Sequence, residues 1–163
     1  MRKLALVPLV FVTAVLAADS KKTTSMAPTH LVVTPEAMQW VDVPPVLPPG
    51  AKMTVLEGDP SKKGFFVIRA KMPDGYRIAP HWHPTRERIT VISGTLHLAM
   101  GDTFDTSKGD AMAAGSFGYM NARMHHYAWT EGPTEIQVAA QGPFQLNYVN
   151  PKDDPSKAAK AGK

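Results

Sequence analysis

Cysteine is absent from the 163 residues of this chain. Its absence excludes a disulfide framework, a thiolate metal site and a cysteine nucleophile. Cysteine usage therefore says nothing about the redox compartment, and the compartment has to be inferred from the N-terminus.

An apolar run of the length that a spanning helix needs is also missing. Residues 4–17 are apolar and follow Arg2 and Lys3, but a spanning helix needs about 20 such residues, and Pro8 interrupts this run. A short basic segment, an apolar stretch and small residues before a cleavage point are typical of a signal peptide. We therefore predict cleavage after Ala17 and a mature protein that is secreted or periplasmic, with no membrane segment.

The part of the chain that is expected to fold has little net charge. The whole chain has a formal charge of +4, but ten Lys or Arg stand against eleven Asp or Glu between Pro28 and Val149. This near neutrality argues against a nucleic-acid surface.

Long amphipathic helices are missing from the pattern as well, and the one helical signal is a short turn from Thr34 to Trp40. From Ala51 onward, short runs of alternating or β-branched apolar residues are separated by glycine and proline at intervals of about 8 to 12 residues. This pattern predicts an all-β sandwich or small barrel of about eight strands. The predicted strands are 52–56, 65–71, 88–92, 95–100, 118–120, 126–130, 135–140 and 145–149, with turns at Ser93-Gly94 and Gly132-Pro133.

Composition also divides the chain into segments. The predicted segments are a signal peptide at 1–17, a polar N-terminal lead-in at 18–43, one folded domain at 44–150 and a charged, disordered C-terminal tail at 151–163.

The most informative segment contains two histidines with one residue between them. In an extended chain His81 and His83 point to one face, and Trp82 points to the other. Pro84 ends this strand, and Glu87 can return to the same site from the start of the next strand. A carboxylate that faces an apolar core needs a cation or a proton, because burying an isolated charge is costly.

A fourth ligand should come from a downstream strand, where His97, His125 and His126 are the candidates. His126 shares a face with the small residue Ala128, which suits a crowded interior, so we choose His126. A register error of one residue would exchange it with His125. Three histidines and a carboxylate suit Mn, Fe, Co, Ni, Cu or Zn.

The spacing of Gly75, His81, His83, Glu87 and Gly94 resembles the first motif of the cupin superfamily. The second cupin motif has a Pro-x-Gly turn before its last metal-binding histidine. Here Asn121 and Arg123 replace that proline and glycine, while the offset of His126 is kept. The turn must therefore use Arg123 where the family uses a residue that tolerates positive φ.

The resemblance covers about residues 50–149 and implies a cupin double-stranded β-helix, or jelly-roll barrel, of the small secreted single-domain type. It implies one divalent transition metal (Fe, Mn, Ni, Cu or Zn) inside the barrel mouth, held by His81, His83, Glu87 and His126. Cupins commonly assemble as dimers, so a homodimer is an expected state. Arg123 and Tyr76 are the polar residues expected near the mouth, where they are candidates for binding substrate.

Two functions remain open at this stage. The first is a metal-dependent enzyme of dioxygenase, isomerase or lyase type that acts on a small oxygen-bearing organic molecule, with Glu87 as a ligand that also tunes the metal's charge or acts as a base. The alternative is a non-catalytic periplasmic module that binds or senses a small ligand through the metal.

Overall fold

The computed structural model describes residues 30–157. The account below concerns the described residues of the unit Val33–Lys163. The predicted signal peptide and its cleavage point lie outside the described residues, so they stay predictions. Within residues 30–157, no helix is both long and apolar enough to cross a membrane.

The described residues form nine strands, two short 3-10 turns and a helical segment at 155–157. The strands are β1 (Val41–Asp42), β2 (Lys52–Glu57), β3 (Gly64–Met72), β4 (Arg77–Trp82), β5 (Glu87–Met100), β6 (Asp110–Ala113), β7 (Phe117–Met120), β8 (His126–Gly142) and β9 (Asn147–Tyr148). The 3-10 turns are Pro35–Ala37 and Pro151–Asp153. The first has Thr34 as its N-cap and confirms the short turn that the sequence predicts there.

All strand pairs are antiparallel, and β8 is the central strand. Its second half pairs with β3 and its first half with β4, while β5 lies along it for almost its whole length. β2 and β1 continue the sheet beyond β3, β9 continues it beyond β4, and β6 and β7 pair with β5. The resulting curled sheet confirms the predicted all-β fold.

The predicted turns at Ser93-Gly94 and Gly132-Pro133 are wrong, because β5 and β8 each run on through them. Gly94 and Gly132 have φ values of 77° and 71°, and the β5–β8 register shifts on both sides of Ser93. Each glycine bends its own strand, so that β5 and β8 can each run through two parts of the curled sheet. β6 was not among the predicted strands, and β4 was predicted only as the extended chain before Pro84 that carries His81.

The core lies inside the curl and follows the alternation of the strands. Ile89 and Val91 of β5 face inward, and so do Leu96 and Leu98 further along the strand. Between these two leucines, His97 lies on the outer face, where it stacks on Trp129 with ring centroids 4.7 Å apart.

The outward-facing aromatic residues of β8 are covered by this chain itself. Tyr127 is fully buried, and its hydroxyl donates to the carbonyl of Asp105 at 3.0 Å. Phe104 packs against both Tyr127 and Trp129, with ring centroids 5.0 and 5.7 Å away. The loop between β5 and β6 therefore covers part of the outer face of β8.

A proline-rich segment between β1 and β2, residues 43–51, lies across the barrel and is called the strap below. Its ends meet where the Val43 amide donates to the carbonyl of Ala51 at 3.3 Å. Two tyrosines from the barrel fasten its middle: the Tyr76 hydroxyl donates to the carbonyl of Pro48, and the Tyr148 hydroxyl donates to the carbonyl of Val46 at 2.8 Å.

Beyond β9, the turn Pro151–Asp153 is capped by Asn150, whose side-chain oxygen accepts from the amide of Lys152 at 3.1 Å. This turn lies inside the predicted C-terminal tail, so the first part of that segment has local structure. Residues 158–163 lie outside the described part of the chain, and the disorder predicted for them stays a prediction.

Candidate metal centre

The four residues with predicted ligand roles come from three strands that meet at one end of the barrel. His81 is near the end of β4 and His83 follows it, while Glu87 is the first residue of β5 and His126 the first of β8. His81 and His126 are direct partners in the β4–β8 pairing. All four residues are buried, so chain segments more than forty residues apart supply one interior site.

The geometry brings the three imidazoles within reach of one point. One ring nitrogen from each of His81, His83 and His126 lies within 4.8 Å of the others, an arrangement that could hold a metal ion. The Glu87 Oε2 atom lies 3.3 Å from the His126 Nε2 atom and 3.6 Å from the His83 Nε2 atom. His125, the alternative to His126, is not part of this group and instead pairs with Asp102 at 2.6 Å.

Backbone carbonyls fix which nitrogen of each ring is turned toward the site. The Nδ1 atoms of His81, His83 and His126 bond to the carbonyls of Ala79, Gln145 and Met124 at 2.8, 2.8 and 3.0 Å. Because a carbonyl oxygen only accepts, each Nδ1 is the protonated nitrogen, so in the neutral ring the lone pair is on Nε2.

The donor set therefore fits a cation. The Nε2 atoms of His83 and His126 are buried without a hydrogen-bond partner, and both face the oxygen of Glu87. Lone pairs and a carboxylate oxygen at such distances repel each other unless a cation or a proton lies between them. Imidazole and carboxylate donors together suit the borderline transition metals.

The protonation states favour metal binding at neutral pH. Burial, together with smaller contributions from the neighbouring His126 and His83, lowers the pKa of His81 to about 3. Burial likewise lowers the pKa of His83. Burial raises the pKa of Glu87, but the adjacent His83 and His126 outweigh this and leave it below its ordinary value. Neutral imidazoles beside an ionised carboxylate are the protonation states that a bound metal needs.

A largely apolar, partly open cavity of about 80 Å³ lies beside the donor set. His81, His83 and Glu87 form one wall, and strap residues such as Leu47 form part of another. Phe144 stacks on the His83 ring, with centroids 4.3 Å apart and planes 14° apart. A smaller space of about 40 Å³ lies on the other side, toward the core, and includes His126. The arrangement can therefore hold a small molecule next to an ion at the donor set.

The structure places the two predicted substrate-binding residues differently. Tyr76 is buried and lines the cavity, but its hydroxyl is engaged by the carbonyl of Pro48. Arg123 is exposed on the turn before β8 and does not line the cavity. Its φ of 63° makes it the only non-glycine residue of the described chain with a positive φ, as the comparison with the family turn predicts. A role in substrate binding stays a prediction for both residues.

Sequence reasoning missed the residues that enclose the site. Leu47 and Phe144 lie far from the histidines in sequence, and nothing in their spacing predicts that they line the cavity. The only available signal was the stiffness of the proline-rich segment that contains Leu47.

Residues 28–145 match the family described as the ChrR cupin-like domain. The chain belongs to this cupin family. The match spans more than half of the chain, and it confirms the resemblance drawn from the histidine motif. A search of curated proteins found no match.

Solved cupin structures share the fold of this cupin. The polyketide cyclase RemF from Streptomyces resistomycificus has a TM-score of 0.65 and 16% identity, over 80% of this chain and 93% of that one. A provisionally assigned acetylacetone dioxygenase from Methylibium petroleiphilum PM1 has a TM-score of 0.61 and 20% identity, over 80% and 88% of the two chains. An RmlC-like cupin from Shewanella frigidimarina NCIMB 400 has a TM-score of 0.54 and 14% identity, over 71% and 94%. At these identities the likeness establishes the jelly-roll fold alone.

Proposed function

We propose that this cupin is a metal-dependent enzyme that acts on a small, uncharged organic molecule through that molecule's oxygen atoms. The observation that carries the proposal is the group of buried, unpaired imidazole nitrogens that face the Glu87 carboxylate beside an apolar cavity. A purely structural site would have no need of a cavity against its donors, whereas a catalytic ion needs an open position for substrate.

His81, His83 and His126 would hold one divalent transition metal, with Glu87 as the fourth ligand. When bound, such an ion polarises an oxygen-bearing group or activates dioxygen, depending on its identity. The carbonyl of Ala79 and its two counterparts at the other rings keep the imidazoles in the tautomer that binds metal. Glu87 lowers the net charge of the site and is the only carboxylate among the cavity's lining residues, so any base of the protein at this place would be Glu87.

The lining of the cavity supports an uncharged substrate. Apart from the donor set and Tyr76, every described lining residue is apolar, and neither Lys nor Arg is among them. A carboxylate or phosphate group would leave water without a cationic partner, which is costly in an apolar cavity. A compound with two oxygens that chelate and with short alkyl ends fits better. The structural neighbour assigned provisionally to acetylacetone makes small diketones a sensible first choice for assay.

A metal titration with two matched variants tests the site itself. His126→Ala removes a proposed ligand, whereas His125→Ala removes the adjacent histidine, which pairs with Asp102 on the outer side. We expect one ion per chain in the parent protein and in His125→Ala, and at least a hundredfold weaker binding in His126→Ala, measured by calorimetry and elemental analysis. Equal affinity in the two variants would refute the assignment, and the reverse order would mean that His125 is the ligand.

Turnover separates the enzyme from the binding module. The protein loaded in turn with Fe, Mn, Ni, Cu and Zn is incubated with diketones, enols, catechols and keto acids, and substrate loss and dioxygen uptake are followed. Conversion of an uncharged compound by the parent and by His125→Ala, but not by His126→Ala, is the expected result. Binding of such compounds without conversion under every metal would overturn the catalytic proposal and favour a ligand-binding or sensing module.

We also propose that the protein acts outside the cytoplasm. Support comes from the N-terminal pattern of Arg2, Lys3 and the apolar residues 4–17. The homodimer that the resemblance implies stays a prediction.

A further inference from the structure

Three cavities on one side of the barrel share a single side chain. The inner cavity beside the metal ligands has a volume of about 80 Å³, and two outer cavities have volumes of about 210 and 450 Å³. Leu47 of the strap lines all three. The Leu47 side chain therefore stands between the inner cavity and the larger spaces outside it.

The residues that the inner and outer cavities share show which path Leu47 interrupts. Ile68, Phe144 and Leu146 line both the inner cavity and the outer cavity of about 210 Å³, which also borders Pro60 and Ser61 at the surface. An apolar route thus leads from the β2–β3 loop toward the donor set, with Leu47 on one side and Phe144 on the other. Phe144 is the more firmly held of the two, because it stacks on His83 and packs edge-on against Phe66 at 5.2 Å.

The attachment of the strap leaves Leu47 freer to move than the barrel walls. The Leu47 amide donates only within the strap, to the carbonyl of Pro44 at 2.9 Å, in a local turn. The carbonyls of Val46 and Pro48, on either side of it, are bonded by the hydroxyls of Tyr148 and Tyr76. Two side-chain hydrogen bonds, each contributing about 1 kcal/mol, are a weaker attachment than a strand ladder, so we expect the strap to open at a lower free-energy cost than the barrel walls.

We propose that Leu47 is the gate of the metal site and sets the size of the molecules that reach it. The inference rests on the proposed function in so far as the gated space is the substrate site. Leu47 is not one of the proposed ligands, so its substitution should change access and leave the donor residues in place. Tyr148 holds the gate in place through its hydrogen bond to the Val46 carbonyl of the strap.

The test measures association rates for two metal-binding probes of different width. Protein loaded with Co²⁺ is mixed with acetohydroxamate or benzohydroxamate, and binding is followed by the change in the cobalt absorption spectrum. Leu47→Ala opens the passage and should speed association of the wider probe at least tenfold, with a smaller gain for the narrow one. Leu47→Trp fills the passage and should slow both. Tyr148→Phe removes one fastener and should speed both by a fewfold factor.

Control variants distinguish an effect on access through the gate from an effect on the metal site. Val55, on β2, is 46% exposed and lines none of the cavities described here, so Val55→Ala and Val55→Trp should leave the rates unchanged. Cobalt affinity should be the same in every variant. Equal probe rates in Leu47→Ala, Leu47→Trp and the parent, all of them with cobalt bound, would overturn the gate.

A metal-free measurement distinguishes failure of the gate from failure of the proposed function. Xenon enters apolar cavities, and its exchange into the apoprotein is measured by ¹²⁹Xe NMR. Exchange should be faster in Leu47→Ala and slower in Leu47→Trp than in the parent. If cobalt does not bind but xenon exchange follows this order, the metal function is wrong and the gate stands. If exchange is the same in all three proteins, the gate is wrong whatever the metal result.

Discussion

Replacing Arg123 with glycine should stabilise the protein. Arg123 holds a φ of 63° in the turn before β8, where its amide donates to the carbonyl of His83 at 2.8 Å. The left-handed conformation costs a side-chain-bearing residue about 1–2 kcal/mol. Glycine avoids that cost but loses about 0.5–1 kcal/mol more backbone entropy on folding. The expected net gain is about 0.5–1 kcal/mol.

Arg123→Ala is the matched control, since it removes the same exposed side chain and keeps the strained backbone. We expect its unfolding free energy to stay within about 0.5 kcal/mol of the parent. For a domain of this size the glycine variant should melt about 2–4 °C higher, whereas the alanine variant should hardly change. Calorimetry or thermal circular dichroism on the metal-free proteins measures both.

Equal shifts in the two variants would refute the reasoning, because they would show that the conformation of Arg123 carries no cost. The same pair tests the predicted substrate role separately. Both variants lose the guanidinium, so a ligand held by Arg123 would bind more weakly to both by the same factor, whatever their melting temperatures.

Three further predictions concern pH, packing and processing. His81 has a pKa of about 3 in the folded protein, against an ordinary value of 6.5. As the pH falls, the unfolded chain therefore takes up a proton at His81 before the folded protein does. The unfolding free energy of the apoprotein should consequently fall by about 1.4 kcal/mol for each pH unit between pH 6 and pH 4 because of this residue. Urea melts should show this slope, and His81→Gln should flatten it. Gly94→Ala would bring its Cβ to 2.6 Å from the Thr134 hydroxyl, whereas a Cβ at Gly132 meets nothing within 4 Å, so Gly94→Ala should cost about 2 kcal/mol more than Gly132→Ala in the same melts. Intact-mass analysis of the exported protein should give an N-terminus directly after Ala17, and an uncut chain would contradict the signal peptide.

The donor residues were predictable because their spacing is a local property. Side chains alternate in an extended chain, so His81 and His83 had to share a face, and the same rule distinguishes His126 from His125. The structure agrees on both points, with His125 turned away toward Asp102. Recognising the cupin pattern joined these local faces into one site, which alternation alone could not do.

The extent of the long strands was not predictable from local signals. Glycine and proline end strands in most sequences, and at Gly94 and Gly132 they were interpreted in that way. Here the pairing of β5 with β8 on both sides of these residues outweighs the local preference, and the glycines bend the strands without ending them. That pairing is a tertiary effect, and so is the position of Leu47 over the centre.

The carbonyl anchors on the three imidazoles have a consequence for the order of events after synthesis. The carbonyls of Ala79, Met124 and Gln145 orient the three rings in the folded chain. The conformational entropy lost in ordering these rings is therefore part of the cost of folding and not of metal binding. Under the proposed function, capture of an ion would then be a late step on a finished barrel, and folding would not have to wait for it. The metal content of the protein would accordingly follow the local supply of ions. It would do so more closely than the metal content of a protein whose flexible ligands close around one preferred ion.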